Sequence, residues 1–221
     1  MDVVAIGETM VAFDPDRVGR LRSVQTFHKF AGGAETNTLI GLQRLGFSTR
    51  WISLLGDDEF GRFINSVIRG EGVDTSSVRF LPKTKTGIMF IERNAIEDCN
   101  SIYYRDNTAI KQLSPEHIRQ TMIKDAKILY FSGITPMLSS ICHETTLKAM
   151  DIAHKYDVKI AFDPNIRLKL YDMERSREIL IPIIKRCNIF MPNVDELKFL
   201  FPNQAVDDIA KKLFNESQIQ I

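Results

Sequence analysis

The sequence predicts an α/β fold of the Rossmann-like three-layer type, a parallel-sheet sandwich with helices on both faces and a small β lid. Three observations predict it. From Ser114 onward, runs of strand length alternate with helical runs through short connections, which requires parallel strands joined by crossovers. The opening run, Met1 to Gly7, is apolar without alternation, as suits a strand buried on both faces. Two β-like stretches, at about 12–31 and 84–107, break the repeat and are grouped as the lid. The whole chain, 1–221, is read as part of one such domain.

The elements follow in order. Glu8 to Pro15 stays extended and carries Glu8 and Asp14, and Leu21 to Phe30 suits one or two exposed strands. Gly32-Gly33 opens a helical run with Leu39, Leu42 and Leu45 on one face. Thr49 to Leu55 is a strand. Gly56-Asp57-Asp58-Glu59-Phe60-Gly61 then starts a helix whose acidic first turn suits the dipole. Thr86 to Glu92 and Asn100 to Arg105 are strands rich in Ile, Phe and Tyr, joined by a polar hairpin loop. Ser114 caps a short amphipathic helix holding His117, with Pro115 at its first position.

Lys127 to Phe131, Val158 to Phe162 and Asn188 to Met191 are strands. Ile141 to Tyr156, Glu174 to Arg186 (interrupted or kinked at Pro182), Val194 to Phe201 and Ala205 to Phe214 are helices. Gln218 to Ile221 is expected to open another strand.

A chain of 221 residues, 44% of them hydrophobic, supports one sizeable core. A net charge of +1 from 29 basic and 28 acidic side chains gives no reason to expect nucleic acid. No apolar run approaches the roughly 20 residues that span a bilayer. The apolar part of the N-terminus is too short for a signal peptide, and Cys99, Cys142 and Cys187 have no spacing for zinc or a disulfide framework. A cytoplasmic protein is expected, with no membrane partner.

Ligands of an open parallel sheet bind beyond its carboxyl strand ends. The Gly32-Gly33 turn offers close backbone approach and the free N–H groups of a helix start, with Asn37 in the first turn, although this segment alone favours a ligand-free tight turn. Asp163-Pro164-Asn165-Ile166-Arg167 follows one strand, and Asn193-Val194-Asp195-Glu196 the next. Asn193 and Glu196 suit a hydrated Mg²⁺ or, alternatively, a plain capping box. Tyr103 and Arg105 project from one face of a strand, where Arg105 could clamp a carboxylate or stand as a solvated edge charge. The four histidines show no metal or triad spacing.

The runs Gly32 to Asn37 and Gly56 to Gly61, followed by Asp163 to Arg167 and Asn193 to Glu196, together resemble the signatures of the ribokinase-like sugar kinases, the PfkB family. Within it, Tyr103-Tyr104-Arg105 and Arg167 resemble 2-keto-3-deoxygluconate kinase. The resemblance implies ATP-dependent phosphorylation of a sugar or sugar acid, with ATP and Mg²⁺ as cofactors. It implies substrate contacts at Gly33, Ala34, Asn37, Tyr103, Arg105 and Arg167, with Asp14 as a sugar-hydroxyl acceptor. ATP-side roles fall to Asn165, Arg167 and Asn193, and a metal role to Glu196. Family members dimerise through such lids, so a homodimer is expected.

Met89 and Thr108 depart from that pattern, where a tyrosine and a serine are usual. The family's Gly-Ala-Gly-Asp motif, with its anion hole and general-base aspartate, is expected beyond Ile221. On that expectation no catalytic base lies in this chain, and the chain alone is inactive. A catalytically dead sugar-binding relative and a kinase for a neutral sugar or nucleoside remain the alternatives.

Overall fold

The computed structural model describes residues 1–93, 99–166 and 172–219. The first strands are β1 (Val3–Ile6), β2 (Met10–Pro15), β3 (Phe27–Gly32), β4 (Thr49–Gly56) and β5 (Asp74–Leu81). They are followed by β6 (Ile88–Glu92), β7 (Asn100–Tyr104), β8 (Ile128–Ser132), β9 (Lys159–Asp163) and β10 (Ile189–Phe190). The helices are α1 (Ala34–Arg44), α2 (Glu59–Gly70), α3 (Ile134–Met137), α4 (Ser140–Lys155), α5 (Met173–Ile184), α6 (Val194–Leu200) and α7 (Val206–Glu216).

Six strands form one sheet in the order β10-β9-β8-β1-β4-β5, and all of its ladders are parallel. The side-chain period of two sorts each strand between two cores. Val4, Ile6, Leu129, Phe131, Ile160 and Phe162 face the core built with α4 and α5. Val3, Ala5, Trp51, Leu55 and Tyr130 face the one built with α1 and α2. Burial on both faces is why these strands read as unbroken apolar runs. Trp51 is fully buried, and its indole N–H donates to the Gly7 carbonyl at 3.1 Å.

The chain order makes β1 the switch point. From it the sheet grows through β4 and β5 to one side and through β8, β9 and β10 to the other. A crevice therefore opens at the carboxyl ends of β1 and its neighbours, the general place for a ligand in such sheets.

A second sheet of four strands, β3-β2-β6-β7, is made from the two β-like interruptions. It joins two antiparallel hairpins, β2–β3 and β6–β7, through a parallel β2–β6 ladder. One face packs on α2: Phe13 meets Phe60 edge-on and stacks on Phe90 at 4.9 Å. Lys29 Nζ lies 4.3 Å from the centre of the Phe63 ring.

Several expectations are corrected. Leu21–Ser23 is a 3-10 turn, and only Phe27–Gly32 of that region is strand. Asp74–Leu81 is a further strand, one that the sequence does not announce because an edge strand of half-exposed, mostly polar residues lacks an apolar run. His117 closes a three-residue 3-10 turn by accepting the Ser114 N–H, and Pro182 does not interrupt helix α5. Ser217–Ile219 forms no strand, while 220–221 and most of the hairpin loop, 94–98, lie outside the described residues.

Candidate functional site

The chain passes between the two sheets four times, and all four passages meet at Glu8. Glu8 itself follows β1. At the return into α1, a Cβ on Gly33 would stand 2.5 Å from the Glu8 carbonyl oxygen, so only glycine fits there. At the second exit, a Cβ on Gly87 would stand 3.0 Å from Glu8 Oε1. At the last passage Arg105 pairs with Glu8, Nη2 to Oε2 at 2.5 Å, with side chains only 8% and 5% exposed.

The pair has the distance of an ion pair without the angles of a hydrogen bond. Arg105 Nη2 and both Glu8 oxygens consequently lack a hydrogen-bond partner among the described residues. Burying such groups is costly unless a partner completes them. Burial pushes the Glu8 carboxyl up from the usual carboxylate range; Arg105 and Lys111 pull it down, and Glu35 pushes it up.

Arg105 is thus neither a solvated edge charge nor part of a strand. It lies one residue beyond β7 and turns inward to the switch point. Tyr103 stays with it, its ring centre 5.7 Å from the guanidinium carbon. Met89 pairs with Tyr103 across the ladder, and its methyl carbon would touch a Cβ on Gly32 at 3.0 Å. Gly33, Tyr103 and Arg105 are therefore brought together.

Helix α1 begins at Ala34, and Gly33 as its N-cap offers no side-chain acceptor to the first-turn N–H groups. Glu35 is buried, and its Oε1 accepts the Ser132 N–H (2.9 Å), the Ser132 hydroxyl (2.7 Å) and the Thr135 hydroxyl (3.0 Å). Burial still pushes its carboxyl up against those donors. Thr36 bonds Thr9 at 2.9 Å. Asn37, by contrast, is exposed and lines a cleft of about 610 Å³ with Lys29, Phe30, Arg44 and Phe63. Asp14 is also apart: Arg93 grips both of its oxygens, at 2.8 and 2.5 Å.

The ATP-side residues form a second group along the same sheet edge. Asn165 adopts φ +39, and its N–H donates to Asp163 Oδ1 at 2.9 Å. Asn193 and Glu196 form the reciprocal capping box: Glu196 N–H donates to Asn193 Oδ1, and Asn193 N–H donates to Glu196 Oε2. Glu196 Oε1 also accepts the Ile166 N–H at 2.8 Å, tying α6 to the turn after β9. The spacing read as a metal site is thus spent first on capping.

Each Glu196 oxygen takes one N–H and keeps a second acceptor site. Among the described residues no three His, Cys, Asp or Glu side chains are grouped to hold a metal directly. This donor set fits a cation that keeps most of its water, as Mg²⁺ does beside phosphates. Arg167 lies outside the described residues.

The two groups are joined through the end of β8. Ser132 bonds Glu35, and Gly133 N–H donates to the Asp163 carbonyl at 2.8 Å. A Cβ on Gly133 would overlap the Pro164 carbonyl oxygen, so that glycine lets the two strand ends close up. Glu8 and Glu35 were assigned no role from sequence. Their signal is a charged residue two positions beyond a buried strand, and one two positions beyond a Gly-Gly turn.

One consequence concerns Glu196. Glu196→Ala removes the acceptor of the Asn193 N–H and the clamp on Ile166, while Asn193 keeps its bond to the N–H of residue 196. It is expected to cost about 1 kcal/mol, as lost caps do, and to speed amide exchange at Ile166 in particular. Unchanged exchange there would show that the clamp is not formed.

Among known proteins, the pfkB family carbohydrate kinase profile matches residues 1–221. The chain is 31% identical over 215 residues to fructokinase-1 of Zea mays, covering 96% of this chain and 66% of that protein. It is 36% identical over 168 residues to the 5-dehydro-2-deoxygluconokinase of Halalkalibacterium halodurans, covering 75% and 50% respectively. A Pyrococcus horikoshii sugar kinase solved in complex with ATP superposes with a TM-score of 0.83 at 29% identity, over 90% of this chain and 65% of that one. The chain spans about half to two thirds of the length of these relatives. Among the described residues, no helix is long and apolar enough to cross a membrane.

Proposed function

Because the chain belongs to the pfkB family of carbohydrate kinases, we propose that it forms the sugar-holding part of an enzyme that moves the ATP γ-phosphoryl group to a hydroxyl of a sugar or sugar acid. The observation that carries this reading is the convergence of Gly33, Tyr103 and Arg105 on Glu8 at the switch point of the parallel sheet. The uncapped start of α1 supplies N–H donors to hydroxyl oxygens, Tyr103 a flat wall, and Arg105 a fork for a carboxylate. The four-stranded sheet serves as the lid that excludes water from the crevice.

Asn165 and Asn193, at the neighbouring strand ends, would hold ATP, a role that the family resemblance extends to Arg167. Phosphoryl transfer depends on positioning and on neutralising charge; Glu196 would hold a Mg²⁺ ion, which would supply part of that neutralisation. Asn37, on its own cleft, and Asp14, held by Arg93, lie outside this group and are left out of the sugar contacts. A second copy meets the lid, whose edge strand β3 exposes Phe30. The setting is cytoplasmic, without nucleic acid or membrane.

The test is calorimetric titration without nucleotide. 2-Keto-3-deoxygluconate is expected to bind in the range of about 1 μM to 1 mM, where enzyme substrates fall. Tyr103→Ala should weaken it at least about tenfold, the effect of about 1.4 kcal/mol of lost contact. Absence of binding by both this acid and fructose would overturn the reading. A neutral sugar is the second reading, favoured by one observation: Arg105 already has a carboxylate beside it.

A further inference from the structure

The Glu8–Arg105 pair does more than join the two sheets. A guanidinium meant for a substrate carboxylate is most useful when it is the sole charge in its pocket, whereas here a buried carboxylate stands 2.5 Å from Nη2. We propose that Glu8 is the specificity-determining residue of the sugar site: it occupies Arg105 as a built-in carboxylate, so that an acidic sugar binds there only as Glu8 takes up a proton. This rests on the sugar-site reading given above.

The geometry supports it in three ways. Glu8 is buried away from water, and the chain passes its Oε1 so closely at Gly87 that a Cβ there would stand 3.0 Å from it. Among the described residues Arg105 is the cation that pairs with it, while Lys111 pairs with Asp106 at 3.4 Å. Neither of its oxygens is fixed by a hydrogen bond, so a proton can be accepted on either. With Glu8 ionised, Glu8 and Arg105 sum to zero and suit an uncharged polyhydroxy compound. With Glu8 neutral, Arg105 presents a full positive charge to an incoming carboxylate.

The charged and titratable groups acting on Glu8 come from every side. They are Arg105 after β7, Glu35 on α1, Lys111 on the turn Ala109–Gln112, and Cys142 on α4. Burial and Glu35 favour the neutral form; Arg105 and Lys111 favour the ionised one. The proton comes from solvent as the acid enters and returns to solvent when it leaves.

Titration of the protein with 2-keto-3-deoxygluconate and with fructose, from pH 8 to pH 5.5 in buffers of different ionisation enthalpy, tests this. The acid stays ionised throughout, so a change in its affinity reports the protein. Its binding is expected to take up a proton and to strengthen as pH falls, while fructose binding is flat. Glu8→Gln should abolish the uptake and the slope, and raise the acid-to-fructose affinity ratio at pH 8 by at least about tenfold, since removing one charge at such range is worth several such factors. The slope and the uptake are read on the unmodified protein, so a poorly folded variant does not remove the test. Acid binding without proton uptake or slope would overturn the role of Glu8 and leave the sugar-acid reading intact. Fructose binding with no gain of acid by Glu8→Gln would also overturn it. Binding of neither sugar by either protein would remove the site reading and this inference together.

Discussion

Arg105→Ala is expected to lower the unfolding free energy by about 3–5 kcal/mol, the cost of stranding one partner of a buried ion pair. Both side chains are more than nine-tenths buried, so solvent screening gives little relief. The loss should depend on pH with a definite sign. Burial already raises the folded-state pKa of Glu8, and removal of Arg105 raises it further. A carboxyl raised on folding contributes stability below its unfolded pKa and loses it as pH rises through the folded one. Urea midpoints of the variant should therefore fall further behind those of the unmodified protein at pH 8 than at pH 5. Adding Glu8→Gln should restore much of the loss. A deficit under about 1 kcal/mol, typical of an exposed pair, or one independent of pH, would show that the pair does not hold the passages together. Arg105→Ala is for the same reason a poor probe of substrate charge, because it disturbs fold and site at once.

Gly133→Ala is expected to be the second severe change. The added methyl would overlap the Pro164 carbonyl oxygen, a backbone atom that cannot swing aside as a side-chain tip can. Relieving it means moving the turn after β9, which is held by the Gly133 N–H on Asp163 and by Glu196 on Ile166. Overpacking of this kind costs about 1–3 kcal/mol and sometimes more. A lowered urea midpoint with faster amide exchange at position 133 and at Ile166 is the expected signature. Exchange confined to α1 would place the disturbance elsewhere.

The alternation from Ser114 onward was legible because strands buried on both faces leave continuous apolar runs, as Leu129 to Phe131 and Ile160 to Phe162 do. Asp74–Leu81 was not, since an edge strand owes its state to pairing with β4 and not to its own composition. Gly33, Tyr103 and Arg105 could be picked out by motif and by strand parity. What each touches could not: Glu8 and Arg105 lie at the ends of different strands of different sheets, and no local spacing links them. Asn193 and Glu196 were legible as a pair with two meanings, and the backbone N–H groups of Asn193 and Ile166 take the carboxylate first. Asp14 was read without its partner because Arg93 reaches it only once β2 and β6 are paired side by side.

That parallel pairing of β2 with β6 bears on how the molecule assembles. Each hairpin of the small sheet can close locally, but Val11 meets Ile88 only after α1, β4, α2 and β5 have brought the intervening chain back beside β1. Such a distant contact carries a large closure entropy and forms slowly. The β1–β8 ladder of the large sheet, Val3 with Ile128, spans a longer closure still, so both sheets are completed by pairings that no local hairpin can make.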